Sequence, residues 1–157
     1  MKSIISKATT LLATVLVLIS FTPNSPQGSG SGGEGFEIYL NGKVVLQQFG
    51  KDINNVKSLQ LNAGSPNDKL TIRYHHCGRV GKNRIVTIKD GQDKLLKEWR
   101  FKDAATPVSD MSCNVKDILD LQTKNNRVYK IFYSSSELPN GRHLVSVVMD
   151  NNNVVRK

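Results

Sequence analysis

From Phe36 to about Asp150, apolar residues recur at every second position rather than every third or fourth. A period of two belongs to strands that bury one face. The clearest instance is "FEIYLNGKVVLQQF", where Asn41-Gly42 separates two alternating runs. A two-residue type I′ turn needs positive φ at both central positions, which Asn and Gly tolerate best, so a hairpin is expected here. Leu40 should face Lys43 and Ile38 should face Val45. Phe36, Ile38, Leu40 and Val45 would then share the core face, with Glu37, Tyr39, Val44 and Leu46 on the other.

The pattern continues through "VKSLQL" (56 to 61), where Lys57, Leu59 and Leu61 alternate with Val56, Ser58 and Gln60. In "KLTIRYHH" (69 to 76), Leu70, Ile72 and Tyr74 oppose Thr71, Arg73 and His75. "NRIVTIK" and "KLLKEWRF", joined by Asp90 to Asp93, predict a second hairpin. "RVYKIFY" and "HLVSVVMD" form a last pair, joined by a loop "SSSELPNGR". Only "SCNVKDILDLQTKNN" departs from the period. There Val115, Ile118, Leu119 and Gln122 suit a helix of two to three turns, capped by Ser112 or Asn114 and ended by Asn125-Asn126. About eight strands and one short helix in a crossover predict an all-β antiparallel sandwich, Ig-like or jelly-roll-like, with a small barrel as the alternative.

The N-terminus does not belong to that pattern. Met1 to Thr22 carries Lys2 and Lys7 before an apolar run from Leu11 to Phe21, shorter than the roughly 20 residues that span a bilayer. It predicts a signal peptide over residues 1 to 22, with cleavage between Ser20 and Gly28, or alternatively a short retained anchor. No cysteine follows the run closely, which excludes a lipoprotein attachment. Pro23 to Gly35 is a Gly/Ser/Pro leader that cannot bury enough apolar surface to order itself. The domain is expected over residues 36 to 150, with 151 to 157 a frayed tail. Export to the periplasm or the outside of the cell follows from the signal peptide.

At this point the chain resembles the small exported β-sandwich proteins found in Bacteroidota, on the strength of "GFEIYLNGK" and "YSSSELPNGR". The resemblance covers most of the mature chain. It implies export and a β-sandwich, and no assigned activity.

Removing Lys2 and Lys7 from the 22 lysines and arginines leaves 20 against 13 acidic residues, a net charge of +7. Such an excess favours acidic partners such as nucleic acid, anionic glycans or other cell-surface components, or a lipid surface, and identifies none of them. Aromatics are 6% of the chain and show no base-stacking pattern, which disfavours nucleic acid. Lys69, Arg73, Arg79, Lys82, Arg84 and Lys89 occur with no acid between them. Arg73, Arg79, Lys82 and Arg84, with Gly78 and Gly81 keeping the loop low, are the candidate anion site. The competing interpretation is a solvated basic edge that keeps strands from pairing with other chains.

"YHHCGRVGKNR" (74 to 84) also concentrates metal-ligand chemistry. Strand alternation sends His75 and His76 to opposite faces, while His75 and Cys77, two apart, could share an ion with His143. Copper or zinc would suit that set, but C-x-x-C and H-x-x-x-H spacings are absent. In an oxidising compartment Cys77 and Cys113 more simply pair, closing a loop of about 36 residues worth roughly 3 to 4 kcal/mol on the chain-entropy model. A catalytic thiol beside His75 or His76 lacks a third, orienting residue. Trp99 sits at strand spacing with Leu95 and Phe101, which favours the core over a sugar platform. G-x-S-x-G, a phosphate-cradling G-x-x-x-x-G-K and a recognisable acidic pair are all absent, so the expectation is a non-enzymatic binding or structural module without a cofactor. Its contact candidates are residues 73 to 84 and the "ELPNGR" loop.

Overall fold

The structure is a computed structural model that describes residues 33–62, 64, 66–123 and 128–150. The expected signal peptide, most of the leader and the tail from 151 lie outside these residues. Nine strands are described: β1 (Glu34–Leu40), β2 (Lys43–Phe49), β3 (Lys57–Asn62), β4 (Lys69–His76), β5 (Arg84–Lys89), β6 (Leu95–Phe101), β7 (Met111–Asn114), β8 (Val128–Ser135) and β9 (Leu138–Asp150). A 3-10 turn, Gly50–Asn54, links β2 to β3, and one helix, α1 (Val115–Leu119), follows β7.

The strands form a four-stranded sheet, β2-β1-β4-β7, and a five-stranded sheet, β3-β9-β8-β5-β6. The fold is all-β and sandwich-like, as the period of two predicts. Phe36, Ile38, Leu70, Ile72 and Met111 from the first sheet share one core cluster with Val86, Ile88, Tyr129, Ile131, Val145 and Val147 from the second. Burying a side chain of this class contributes about 1.5–3 kcal/mol relative to leaving it in water. One pair is parallel rather than antiparallel, β3 against β9.

The first hairpin forms where expected. Asn41 and Gly42 have φ of 52° and 80°, and Leu40 faces Lys43. Beyond that the register departs from the simple count, because a bulge puts Tyr39 opposite Val44 and Ile38 opposite Leu46. Val45 is the extra residue, so it is exposed beside Val44, and Leu46 packs toward the core in its place. The turn is clasped to the start of β4. Asn41 Nδ2 donates to Asp68 Oδ1 at 2.9 Å, and Asn41 Oδ1 accepts from the Lys69 N–H at 2.9 Å.

Three other boundaries moved. β1 begins at Glu34, inside the expected leader, because Glu34 and Gly35 pair with His76 and His75 of β4; the Phe49 ring covers Gly35 so closely that a Cβ there would meet its Cδ1 at 2.0 Å. The helix starts after Asn114 but ends at Leu119, five residues long instead of two to three turns, with Ser112 and Cys113 paired to β4 as part of β7; the expected stop at Asn125-Asn126 lies outside the described residues. Asn114 occupies its N-cap without a side-chain capping bond. Finally, the "SSSELPNGR" loop is mostly strand. The chain reverses at Ser136-Glu137, Ser135 faces Leu138 and Tyr133 faces Arg142, leaving Pro139 to Gly141 as a bulge opposite Ser134.

Candidate functional site

Strand β4 organises the candidate residues. Its alternation places Leu70, Ile72, Tyr74 and His76 in the core and turns Thr71, Arg73 and His75 outward, as the sequence predicts. After His76 the chain leaves the ladder through Cys77 and Gly78, with φ of 53° and 82°. The Arg79 N–H then donates to the His76 carbonyl at 3.1 Å, closing a tight turn. Left-handed geometry suits Gly78 and is uncommon for Cys77.

The expected disulfide does not fit this fold. Cys113 on β7 lies directly opposite Leu70, at the beginning of β4, whereas Cys77 follows its end. At about 3.3 Å per strand residue the two Cα atoms are on the order of 20 Å apart, against a limit near 7 Å for a bridge. Both thiols are free, Cys77 exposed and Cys113 buried. Burial, with Asp117 adding to it, pushes the Cys113 thiol up to about 12.

The metal set is likewise divided. His75 faces outward from the four-stranded sheet. His143 faces outward from the five-stranded one, stacked on Phe132 at 4.8 Å between ring centres. Cys77 and His75 therefore do not meet His143 across the core, and the described residues contain no group of three or more metal-ligating side chains.

The four basic candidates have different fates. Arg84 is buried at 7% exposure, and its Nε and Nη1 donate to the carbonyls of Lys102 (3.0 Å) and Ser109 (2.9 Å). It holds the 102–109 connection in place and cannot reach a ligand. Arg73 is bound on the outer face, paired with Asp110 and lying 4.5 Å over the Tyr39 ring. Arg79 and Lys82 are exposed. Lys82 N–H is held by Glu137 Oε2 at 2.9 Å and Asn83 N–H by Asp103 Oδ1 at 2.8 Å, which fixes the backbone and leaves both basic side chains free to project.

Two polar assemblies were not foreseen. On the outer face of the four-stranded sheet, Asp110, Arg73, Tyr39, Glu37 and His75 form a cross-strand series. Arg73 Nη1 donates to the Tyr39 hydroxyl at 2.9 Å, Tyr39 donates to Glu37 Oε2 at 2.9 Å, and His75 Nε2 lies 3.5 Å from the same oxygen. The Phe49 ring meets His75 edge-on at 5.1 Å. Arg73 holds the Asp110 carboxyl below the usual carboxylate range.

The second assembly lies inside, at the end of the core nearest Cys77. His76 Nε2 and the Tyr133 hydroxyl are 2.9 Å apart, and Tyr74 stacks on Tyr133 at 4.5 Å. Tyr74 donates to Glu34 Oε1 at 2.5 Å, and Arg142 bridges that oxygen (3.2 Å) to Asn54 Oδ1 (2.9 Å). Burial pulls His76 below the usual imidazole value and pushes Tyr74 and Tyr133 upward. Alternation marks His76 as inward-facing, but its partner Tyr133 is 57 positions away and carries no local signal.

Trp99 faces inward opposite Val86 and packs against the core. No protein-family model matches the chain, and no curated protein matches it in sequence.

Proposed function

We propose that this chain is an exported, non-enzymatic binding module that contacts anionic polymers, such as cell-surface glycans, through the turn between β4 and β5. The observation that carries this reading is that Arg79 and Lys82 are both exposed in that one turn with no ion pair among the described residues. Arg73, Arg100, Lys116, Lys130 and Arg142, by contrast, are all paired. Fixed backbone around free cationic side chains lowers the ordering cost of binding a charged chain. The signal-peptide pattern and the basic charge of the mature chain support the same reading.

Retention on immobilised heparin tests it. The double variant Arg79→Ala/Lys82→Ala should elute at lower salt than Lys43→Ala/Lys69→Ala, which removes equal charge from exposed positions at the opposite end of β4. Equal shifts for the two would reduce the interaction to nonspecific attraction and overturn the assignment.

A further inference from the structure

Two Asn-Gly pairs occur in this chain, Asn41-Gly42 and Asn140-Gly141, and the fold treats them in opposite ways. Asn-Gly is the sequence in which a backbone amide most readily attacks the preceding side chain, because glycine offers no side chain to obstruct ring closure. At Asn41 that reaction is restrained. Its carbonyl oxygen is held by the Lys69 N–H, its amide nitrogen by Asp68, and its own N–H by the Lys69 carbonyl at 2.9 Å.

Asn140 is exposed, and among the described residues its side chain makes no hydrogen bond to the rest of the fold. It sits in the β9 bulge, where Pro139 to Gly141 stand opposite Ser134 without a one-to-one ladder partner. Bulged backbone is less constrained than paired strand. Leu138-Pro139-Asn140-Gly141 also has the residue order of a turn closed by a left-handed glycine, and Gly141 has φ of 68°.

We propose that Asn140 is a site of spontaneous deamidation. The Gly141 nitrogen bonds to Asn140 Cγ, the Cγ–Nδ2 bond breaks, and ammonia leaves carrying the Gly141 amide proton. Water then opens the cyclic imide at either carbonyl, giving aspartate or isoaspartate. The net change is one water consumed and one ammonia released, with no oxidant or cofactor.

The product has a structural target two residues away. Arg142 holds Glu34 and Asn54, and its Nε is buried without a hydrogen-bond partner. A new carboxylate at 140 adds a negative charge two residues along the chain from that guanidinium, and the isoaspartate form also lengthens the bulge backbone by one methylene. The modification therefore changes the charge and the backbone of the bulge that leads into Arg142 with the age of the molecule.

Peptide mapping by mass spectrometry on the folded full chain, held at neutral to mildly alkaline pH, tests the proposal. The Asn140 peptide should gain the amide-to-acid mass several-fold faster than the Asn41 peptide, as two separable isomers. In urea the two sites should convert at similar rates. Asp68→Ala should raise the Asn41 rate in the folded chain, and Asn140→Gln should abolish the faster conversion. Conversion of Asn41 at an equal or higher rate in the folded protein would overturn the proposal. So would an Asn140 that converts in urea but not when folded.

Discussion

His75 and His76 are consecutive residues of one strand, yet one stands beside a carboxylate on an open sheet face and the other is enclosed between two tyrosines. His75 lies 3.5 Å from Glu37 in a series that ends at Asp110, with side-chain exposures of 23% for His75, 20% for Glu37 and 53% for Asp110. His76 is 3% exposed, and its imidazole bond to Tyr133 ties the two sheets together. The difference teaches that the pleat, not the composition of the segment, assigns chemistry. Outside, charge and hydrogen bonds are interchangeable with water and contribute little net stability. Inside, each polar atom must keep its partner.

The two cysteines provide the widest test of this inside–outside division. Cys77 should react with a thiol reagent in the native protein at once. Cys113 should react at least ~10³-fold more slowly, at the rate set by opening of the core. A disulfide between them in the folded protein, seen as no free thiol after denaturation without reductant, would break the strand register described above.

Next in size are substitutions on the inner side. His76→Ala should cost on the order of 2–4 kcal/mol in denaturant unfolding, combining a cavity with the loss of the buried bond to the Tyr133 hydroxyl. A cost below about 1 kcal/mol would show that water replaces the ring without penalty.

The pH dependence follows from the same burial. A histidine whose folded pKa is depressed keeps its full contribution above the unfolded value near 6.5 and loses it as pH falls toward the folded value. Unfolding free energy should therefore decline as pH drops below about 6.5. His143, also depressed by burial, acts in the same direction, so His76→Gln should flatten the decline in part. No change of slope in that variant would remove His76 from the explanation.

The smallest effects belong outside. Arg73→Ala breaks the Asp110 pair and the stack on Tyr39, and should cost about 0.5–1.5 kcal/mol. Asp110, held below its usual range by Arg73, contributes stability above its unfolded pKa near 3.9 that is lost as pH falls further. Urea titrations at low and high salt would separate the two parts, because salt screens the exposed ion pair more strongly than the close stack on Tyr39.

What was legible in the sequence was whatever depends on neighbours along the chain. Asn41-Gly42 announced its turn, and alternation along 69 to 76 separated the histidines correctly. What depends on register between distant strands was not legible. Cys113 is kept from Cys77 by the pairing of Leu70 with Cys113, a long-range match that no spacing encodes. Arg84 looked like part of a basic surface because its carbonyl partners, on Lys102 and Ser109, lie on a connection whose path is set by the fold. Val45 was assigned to the core because a bulge, unlike a turn, has no obligatory residue type. Of the candidate site, Arg79 and Lys82 remain where the segment suggested, while Arg73 and Arg84 serve the fold.

The parallel pairing of β3 with β9 also bears on assembly. The first hairpin can close as soon as it is made, but β3 finds its place only beside a strand from the far end of the chain. Contacts of such long sequence separation slow folding, since the loop between them must be closed before they reward it. A chain ending before β9 would leave β3 and β8 without the strand that lies between them. Such fragments would be candidates for aggregation through open edges.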